Sequence, residues 1–509
     1  MSSPGASSSA ARPHGRASTP TLSKSKYLAG LQCELRVWSQ VHQKQLATPP
    51  DDATQARFDA GTEVGERACG LFPGGVLVEE PAWRHAQAVA HTRRLLDDAS
   101  VPAIFEAAFE HAGVRIRVDV LERLPGGAWG LREVKSSSSV KAVHLDDLAV
   151  QHFVLEGAGL RVAGSELIHI DTSYIRGEDG IDWQRFFVRA DCSARLADPL
   201  RGLPEKVSEL HTLLAQREPP IVEPGYHCSE PYDCEFWEHC TRGKPKDWIL
   251  NLPRLSRKRF EELRSAGHER IPELPDTVRL NEQQTRIRDT LRSGELYASP
   301  ALSAALAGSG PPACYLDFET ANPAIPLYPG TCPYQTVPFQ WSLHRVDKDS
   351  VVRHQAFLAE GAEDPRRRFC ESLLEALPSD ETPVHVYSAF EATRLGELSS
   401  EFPDLAPGLS DLRDRLFDLL PLVRQHVYHP KFECSYSLKS VAPALISGFQ
   451  WDDVGAISDG GAAAGVWPSL VYGSHGKAEA ASLRESLLAY CQRDTLALVE
   501  LHRALREMA

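Results

Sequence analysis

The sequence predicts an α/β chain of two domains, and three observations predict it. The first is length, since 509 residues exceed what one hydrophobic core serves. The second is an order of strand, turn, strand and helix in the first half: VRIRVDVLERL, a PGG turn, AWGLREVKS, then LDDLAVQHFVLEGAG. The third is a set of apolar strands in the second half, PACYLDFET, FQWSLHRV and PVHVYSAF, mixed with helical patterns. That order is expected of a sheet covered by helices.

Residues 1–20 are rich in Ser, Ala and Pro and carry Arg without acids, with no apolar or amphipathic targeting stretch. They read as a disordered tail. The first domain, 21–240, opens on the helical patterns LSKSKYLAGLQCELRVW and DATQARFDAGTEVGERACGLF. The segment 241–305 reads as a basic helical linker. Within it, LSRKRFEELRSAGHERIPELP predicts a helix, a Gly turn and a second short element. The second domain, 306–509, adds helices around 364–377, from Glu391, at 411–427 and at 481–506. SDGGAAAG at 458–465 reads as a loop.

Apolar residues make up 42% and charged residues 24%, an ordinary globular composition. No run of about 18 apolar residues is present, so a cytoplasmic protein without a membrane span is expected. The net charge of −14 excludes a protein that grips nucleic acid with its whole surface. Locally the balance reverses: 242–264 holds eight basic residues against three acidic ones. Arg257, Lys258 and Arg259 are the candidate nucleic-acid contacts there, a solvated helix face being the other reading.

Without an export signal the eleven cysteines read as reduced thiols, most of them isolated. CSEPYDCEFWEHC differs, crowding Cys228, Cys234 and Cys240 into a C-x5-C-x5-C pattern. An iron–sulfur cluster, a zinc ion or unmetallated thiols all fit three such residues.

Two sets of acids are candidates for chemistry, a half-exposed charged strand, a strand end and an ordinary helix pair being the other readings of their parts. Asp119 lies in an apolar strand, and Glu133 and Lys135 share one face of the next strand. Two carboxylates meeting there suit a hard cation such as Mg²⁺, with the Lys placed to steady a phosphate or a water. In the second half, Asp317 and Glu319 share a strand face among apolar residues. Tyr490 and Asp494 share a helix face at i, i+4. Glu391 opens a helix after a strand, and Asp418 is an alternative acid to it. Lys439 either contacts phosphate or belongs to a helix start capped by Ser437.

The first set resembles the PD-(D/E)xK nuclease fold, the RecB-like CRISPR-associated exonucleases in particular. The resemblance implies that Glu66, in GTEVGERACG, is the acid of the preceding helix, in place of that group's His. It implies that Gln151 is the signature Gln of the following helix. It also implies that Cys33 joins Cys228, Cys234 and Cys240 around a 4Fe–4S cluster, although the family spacing is C-x2-C-x5-C. The second set, with YLDFET and YCQRDT, resembles the DEDD exonucleases of the RNase H-like (DnaQ-like) fold, in the Tyr-bearing subgroup. There Asp317 would bridge two Mg or Mn ions. Glu319 and Asp494 would complete one site, Glu391 would support the other in place of the usual Asp, and Tyr490 would align water.

Over 21–509 the chain resembles an uncharacterised prokaryotic family that joins these two modules. The expected architecture is therefore a restriction-endonuclease-like domain, a helical linker and an RNase H-like domain. The expected function is metal-dependent hydrolysis of DNA at ends or in single strands. The alternatives are an RNA 3′–5′ exonuclease whose first domain only binds, and a non-catalytic nucleic-acid-binding scaffold.

Overall fold

The computed structural model describes residues 21–451, 457, 459–473 and 475–509. Their fold is mixed α/β in two compact units. Residues up to 48, 68–169 and 189–240 form the first; 49–67, 170–188 and 241–509 form the second. The first unit therefore closes at Cys240, while two short segments ahead of that point belong to the second.

The first unit is built on seven strands: β1 (Leu22–Ser23), β2 (Val76–Leu77), β3 (Ala103–His111), β4 (Val114–Leu124), β5 (Ala128–Lys135), β6 (Val162–Ile170) and β7 (Phe187–Asp191). They run in the order β2-β3-β4-β5-β6-β7, with β1 beside β4. β4 buries Val114, Ile116, Val118 and Val120 in strict alternation, so one face is fixed against the core. β5 is buried on both faces up to Val134, the pattern of an interior strand. The PGG turn joins these antiparallel strands because Gly126 and Gly127 take φ of 71° and 72°, which a side chain resists.

Five helices matter here: α1 (Lys24–Gln32), α2 (Glu34–His42), α3 (Asp52–Cys69), α4 (His85–Asp97) and α5 (Ala142–Gly157). α5 is the crossover between the parallel pair β5 and β6. LSKSKYLAGLQCELRVW, expected as one helix, is two: Cys33 between them is extended, at φ −162° and ψ 125°. The reading also passed over β3, β6 and α4.

The second unit holds β8 (Tyr297–Ala298), β9 (Ala313–Ala321), β10 (Val337–Val346), β11 (Val352–Leu358), β12 (Val384–Val386), β13 (Leu416–Asp418) and β14 (Val427–Tyr428). Five of these form one sheet in the order β11-β10-β9-β12-β13. β10 is antiparallel to β9 and β11, while β9, β12 and β13 are parallel. Alternation along β9 divides its side chains. Leu316 and Phe318 pack with Phe369, Leu373 and Leu395 on one face. Asp317 and Glu319 take the other. β8 pairs with β14, which ties the 241–305 segment into this unit.

Two expectations change here. The helix expected at 411–427 is interrupted, because β13 pairs with β12 and Asp418 then caps a new helix, Leu419–His426, by accepting from Leu420 N. Most of SDGGAAAG is helical, not a loop. Asp459 caps Gly460–Tyr472 by accepting from Ala462 N at 2.9 Å, and Ala462, Ala463 and Trp467 are buried. No helix among the described residues is long and apolar enough to cross a membrane.

Trp467 stacks on the fully buried Phe339 of β10, with ring centroids 4.7 Å apart and planes 5° from parallel. Phe339→Ala should therefore destabilise the second unit by about 3–5 kcal/mol in urea unfolding followed by Trp fluorescence. Ile221→Ala, at a side chain 98% exposed, should shift stability by less than about 0.5 kcal/mol.

Candidate functional site

In the second unit the central strand β9 sets Asp317 opposite Ser342 and Glu319 opposite Gln340 of β10. The C-terminal helix Lys477–Met508 lies over that face and presents Tyr490, Cys491 and Asp494. The Cys491 thiol donates to Asp317 Oδ2 at 3.5 Å. Ligand atoms of Asp317, Glu319 and Cys491 lie within 4.8 Å of one another. Trp451 Nε1 donates to Asp494 Oδ1 at 2.6 Å. Lys439 places its ammonium 4.9 Å from the centre of the Tyr490 ring. Glu391, in the first turn of the helix Phe390–Glu401, is buried, and its Oε2 has no hydrogen-bond partner.

Burial and crowding govern these acids. Burial, then Asp494, Glu319 and Glu391, holds Asp317 well above the usual carboxylate range. Burial and Asp494 push Glu319 up to about 8 against the pull of Lys439. Glu391 rises to about 7 through burial, with Asp418 adding. Asp494 is raised by burial, opposed by the Trp451 hydrogen bond and by Lys439. Crowded carboxyls whose ionisation is resisted by burial are a donor set that a divalent cation would ionise and take. The structure thus brings together Asp317, Glu319, Glu391, Tyr490 and Asp494, with Lys439 beside them. It adds Asp459, whose charge reaches Glu319 and which sequence reasoning left in a loop.

In the first unit Glu133 and Lys135 share a face of β5, as alternation requires. Asp119 on β4 accepts from Val134 N at 2.8 Å. Glu133 is 1% exposed and surrounded by donors. Lys24 of α1 reaches both its oxygens at 2.9 and 3.1 Å, Lys135 reaches Oε1 at 2.5 Å, and Gln151 of α5 reaches Oε2 at 2.6 Å. Asp147, one turn before Gln151, accepts from Lys135 at 2.8 Å and from Gln151 at 2.9 Å. Burial would raise Glu133, but Lys135 and Lys24 outweigh it and hold the carboxyl far below its usual value. Asp119, buried and facing Glu133, is pushed up to about 7.

Lys24 and Asp147 were missed by sequence reasoning. Asp147 had a signal, its i, i+4 spacing to Gln151. Lys24 had none, being 109 residues from Glu133. Glu66 is exposed on α3, in the part grouped with the second unit, and makes no hydrogen bond or ion pair among the described residues. Lys24 is the group from an early helix that meets Glu133. Arg257, Lys258 and Arg259 open the helix Arg257–Ser265. Arg257 and Lys258 are exposed, and Arg259 pairs with Glu262 at 2.9 Å.

Cys33, Cys228, Cys234 and Cys240 line one cavity, with Arg36 and Phe236 among its other walls. Gln32 donates to the carbonyls of His227 and Tyr232 at 2.8 and 2.6 Å, and Arg36 pairs with Glu235 at 2.8 Å. These contacts tie the α1–α2 junction to the 228–240 loop. Burial pushes all four thiols up, Cys234 to about 12.

Residues 314–437 match the model of a domain of unknown function, DUF2779. The stretch holds Asp317, Glu319, Glu391 and Asp418 and stops short of Lys439, Tyr490 and Asp494. No curated protein matches the chain.

The raised Glu319 makes stability fall with pH. The unfolded chain loses this proton near 4.5 and the folded one near 8, so deprotonation between those values favours unfolding. In EDTA, Glu319→Gln should melt roughly 5 °C or more above wild type at pH 8. At pH 4 the two should converge in thermal melts.

Proposed function

We propose that the chain is a metal-dependent nuclease that hydrolyses phosphodiester bonds of DNA, at ends or in single strands. The observation that carries this reading is the gathering of Asp317, Glu319, Glu391 and Asp494, in which ligand atoms of Asp317 and Glu319 lie within 4.8 Å of each other and burial raises every carboxyl. Such a set suits hard oxygen-seeking ions, Mg or Mn. The sheet order β11-β10-β9-β12-β13, with β10 antiparallel to its neighbours, supports an RNase H-like (DnaQ-like) fold of DEDD type. In the first unit, the antiparallel β3-β4-β5 followed by α5 and parallel β6 supports a restriction-endonuclease-like PD-(D/E)xK fold. Both agree with the prokaryotic two-module family that the sequence resembles.

On this reading Asp317, Glu319, Asp494 and Glu391 would hold the ions, which when bound supply Lewis acidity toward the phosphate and an activated water. Cys491 fixes the Asp317 carboxylate by donating to it. Tyr490, beside Asp494, orients the attacking water, and Lys439 meets the negative charge of the phosphate. In the first unit, Asp119 and Glu133 would hold a cation, but Lys24 already spans both Glu133 oxygens, so the cation must displace it. That observation favours a second reading, in which catalysis belongs to the second unit and the first unit only binds nucleic acid; RNA digested 3′–5′ is the substrate that goes with this alternative.

Labelled single-stranded DNA, duplex DNA and RNA incubated with Mg²⁺ or Mn²⁺ separate these readings. Asp317→Ala should lower cleavage about a hundredfold or more. Equal loss in Lys135→Ala would place chemistry in both units, and full activity there would confine it to the second. No cleavage of any substrate by wild type would leave a nucleic-acid-binding scaffold.

Four thiols around one cavity fit a 4Fe–4S cluster. The same four thiolates would also suit a zinc ion, the alternative occupant. Protein purified without oxygen should be brown, and Cys33→Ser should bleach it. A colourless wild type with one equivalent of zinc would overturn the cluster.

A further inference from the structure

Within the second unit a cavity of about 430 Å³ opens among Arg254, Gln283, Tyr387, Arg424, Tyr436 and Ser437. That volume is within the range of small-ligand sites. Both guanidinium groups belong to exposed residues, and neither makes a side-chain hydrogen bond or ion pair among the described residues. The Tyr436 hydroxyl is buried, in a residue 6% exposed, beside Gln283 but with no hydrogen bond of good geometry. Tyr387 braces the wall by donating to Tyr436 O at 3.0 Å. Two available guanidiniums, an unsatisfied hydroxyl and two aromatic rings match a phosphate with a base or sugar attached.

Three chain segments join this cavity to the carboxylates. Tyr387 is one turn ahead of Glu391. Arg424 is on the helix that Asp418 caps, and Asp418 acts on Glu391. Ser437 opens the helix Leu438–Leu445, whose Lys439 covers the Tyr490 ring. We infer that the cavity is a nucleotide subsite, holding one phosphate-bearing nucleotide of the strand whose scissile bond lies at Asp317 and Glu319. Arg254 and Arg424 grip the phosphate, Tyr436 completes a hydrogen bond to it, and the rings of Tyr387 and Tyr436 flank the nucleoside. This inference rests on the nuclease reading for the identity of its ligand. The phosphate could come from DNA or RNA, and both are tested.

The test is fluorescence anisotropy in EDTA with labelled ten-nucleotide oligothymidylate and oligouridylate. Arg254→Ala/Arg424→Ala should bind at least about tenfold more weakly than wild type. Its slope of log affinity against log salt should be smaller by about one per lost phosphate contact. Lys348→Ala/Arg353→Ala, which removes two exposed charges at the β10–β11 turn, should bind as wild type. Tyr436→Phe, which keeps the ring and removes only the hydroxyl, should weaken binding several-fold, guarding against loss through misfolding. The strand that suffers the larger loss is the one the subsite holds. Equal weakening by the two double variants, or none by the first, would overturn the subsite. In cleavage assays Arg254→Ala/Arg424→Ala should raise KM and leave kcat within about twofold. Binding that depends on these arginines with no cleavage by wild type would retain the subsite and reject the nuclease. Cleavage with no dependence on them would do the reverse.

Discussion

Buried negative charge is the constraint around which the second unit is organised. Asp317, Glu319, Glu391 and Asp494 gather on one side of a sheet whose other side is apolar core, Glu319 and Glu391 buried and Asp317 and Asp494 half-buried. A folded chain tolerates this only by keeping protons on the acids, pairing them with cations, or accepting a metal. Lys439 is the cation acting on both Glu319 and Asp494, so the first and third routes carry most of the load. The geometry of β9 makes the arrangement unavoidable. An interior strand anchored through Leu316 and Phe318 must turn Asp317 and Glu319 the other way, and the C-terminal helix closes over them.

The first unit solves the same problem differently. Glu133 is as buried as any acid of the second unit, yet it stays ionised because Lys24, Lys135 and Gln151 surround it. Asp147 shares those lysines, and Asp119, with less direct compensation, is pushed up to about 7. The two units therefore present acid clusters in opposite charge regimes. One is compensated by internal ion pairs, while in the other burial raises the acids and Lys439 offsets part of that rise. A dication entering the first must compete with tethered ammonium groups that span Glu133, and one entering the second meets Lys439 alone beside acids that resist ionisation.

Much of this was legible in the sequence, for reasons tied to period and spacing. DxE within YLDFET and ExK within LREVK each fix two groups on one strand face, because the strand period is two. Tyr490 and Asp494 follow from the helix period in the same way. What the sequence hid falls under two physical causes. Lys24 and Arg424 act across separations that only the tertiary fold closes, and no local pattern marks them, whereas Arg254 stood in the basic segment 242–264 without a sign of its partners. The 411–427 and 458–465 misreadings arose where a capping aspartate, Asp418 or Asp459, outweighed composition. The break at Cys33 has no such cap: LAGLQCELRVW is continuous in helical period, and only the extended backbone at Cys33 reveals the turn.

The helix α1 has a length that links two otherwise separate descriptions. Its first residue, Lys24, holds Glu133, and the residue just past its end, Cys33, borders the thiol cavity. Nine residues of α-helix make a rod roughly 13 Å long, stiff along its axis. Thiol chemistry at one end therefore has a mechanical line to an ion pair at the other. A displacement of Cys33 is thereby carried along the rod toward the ammonium that occupies the first acid cluster.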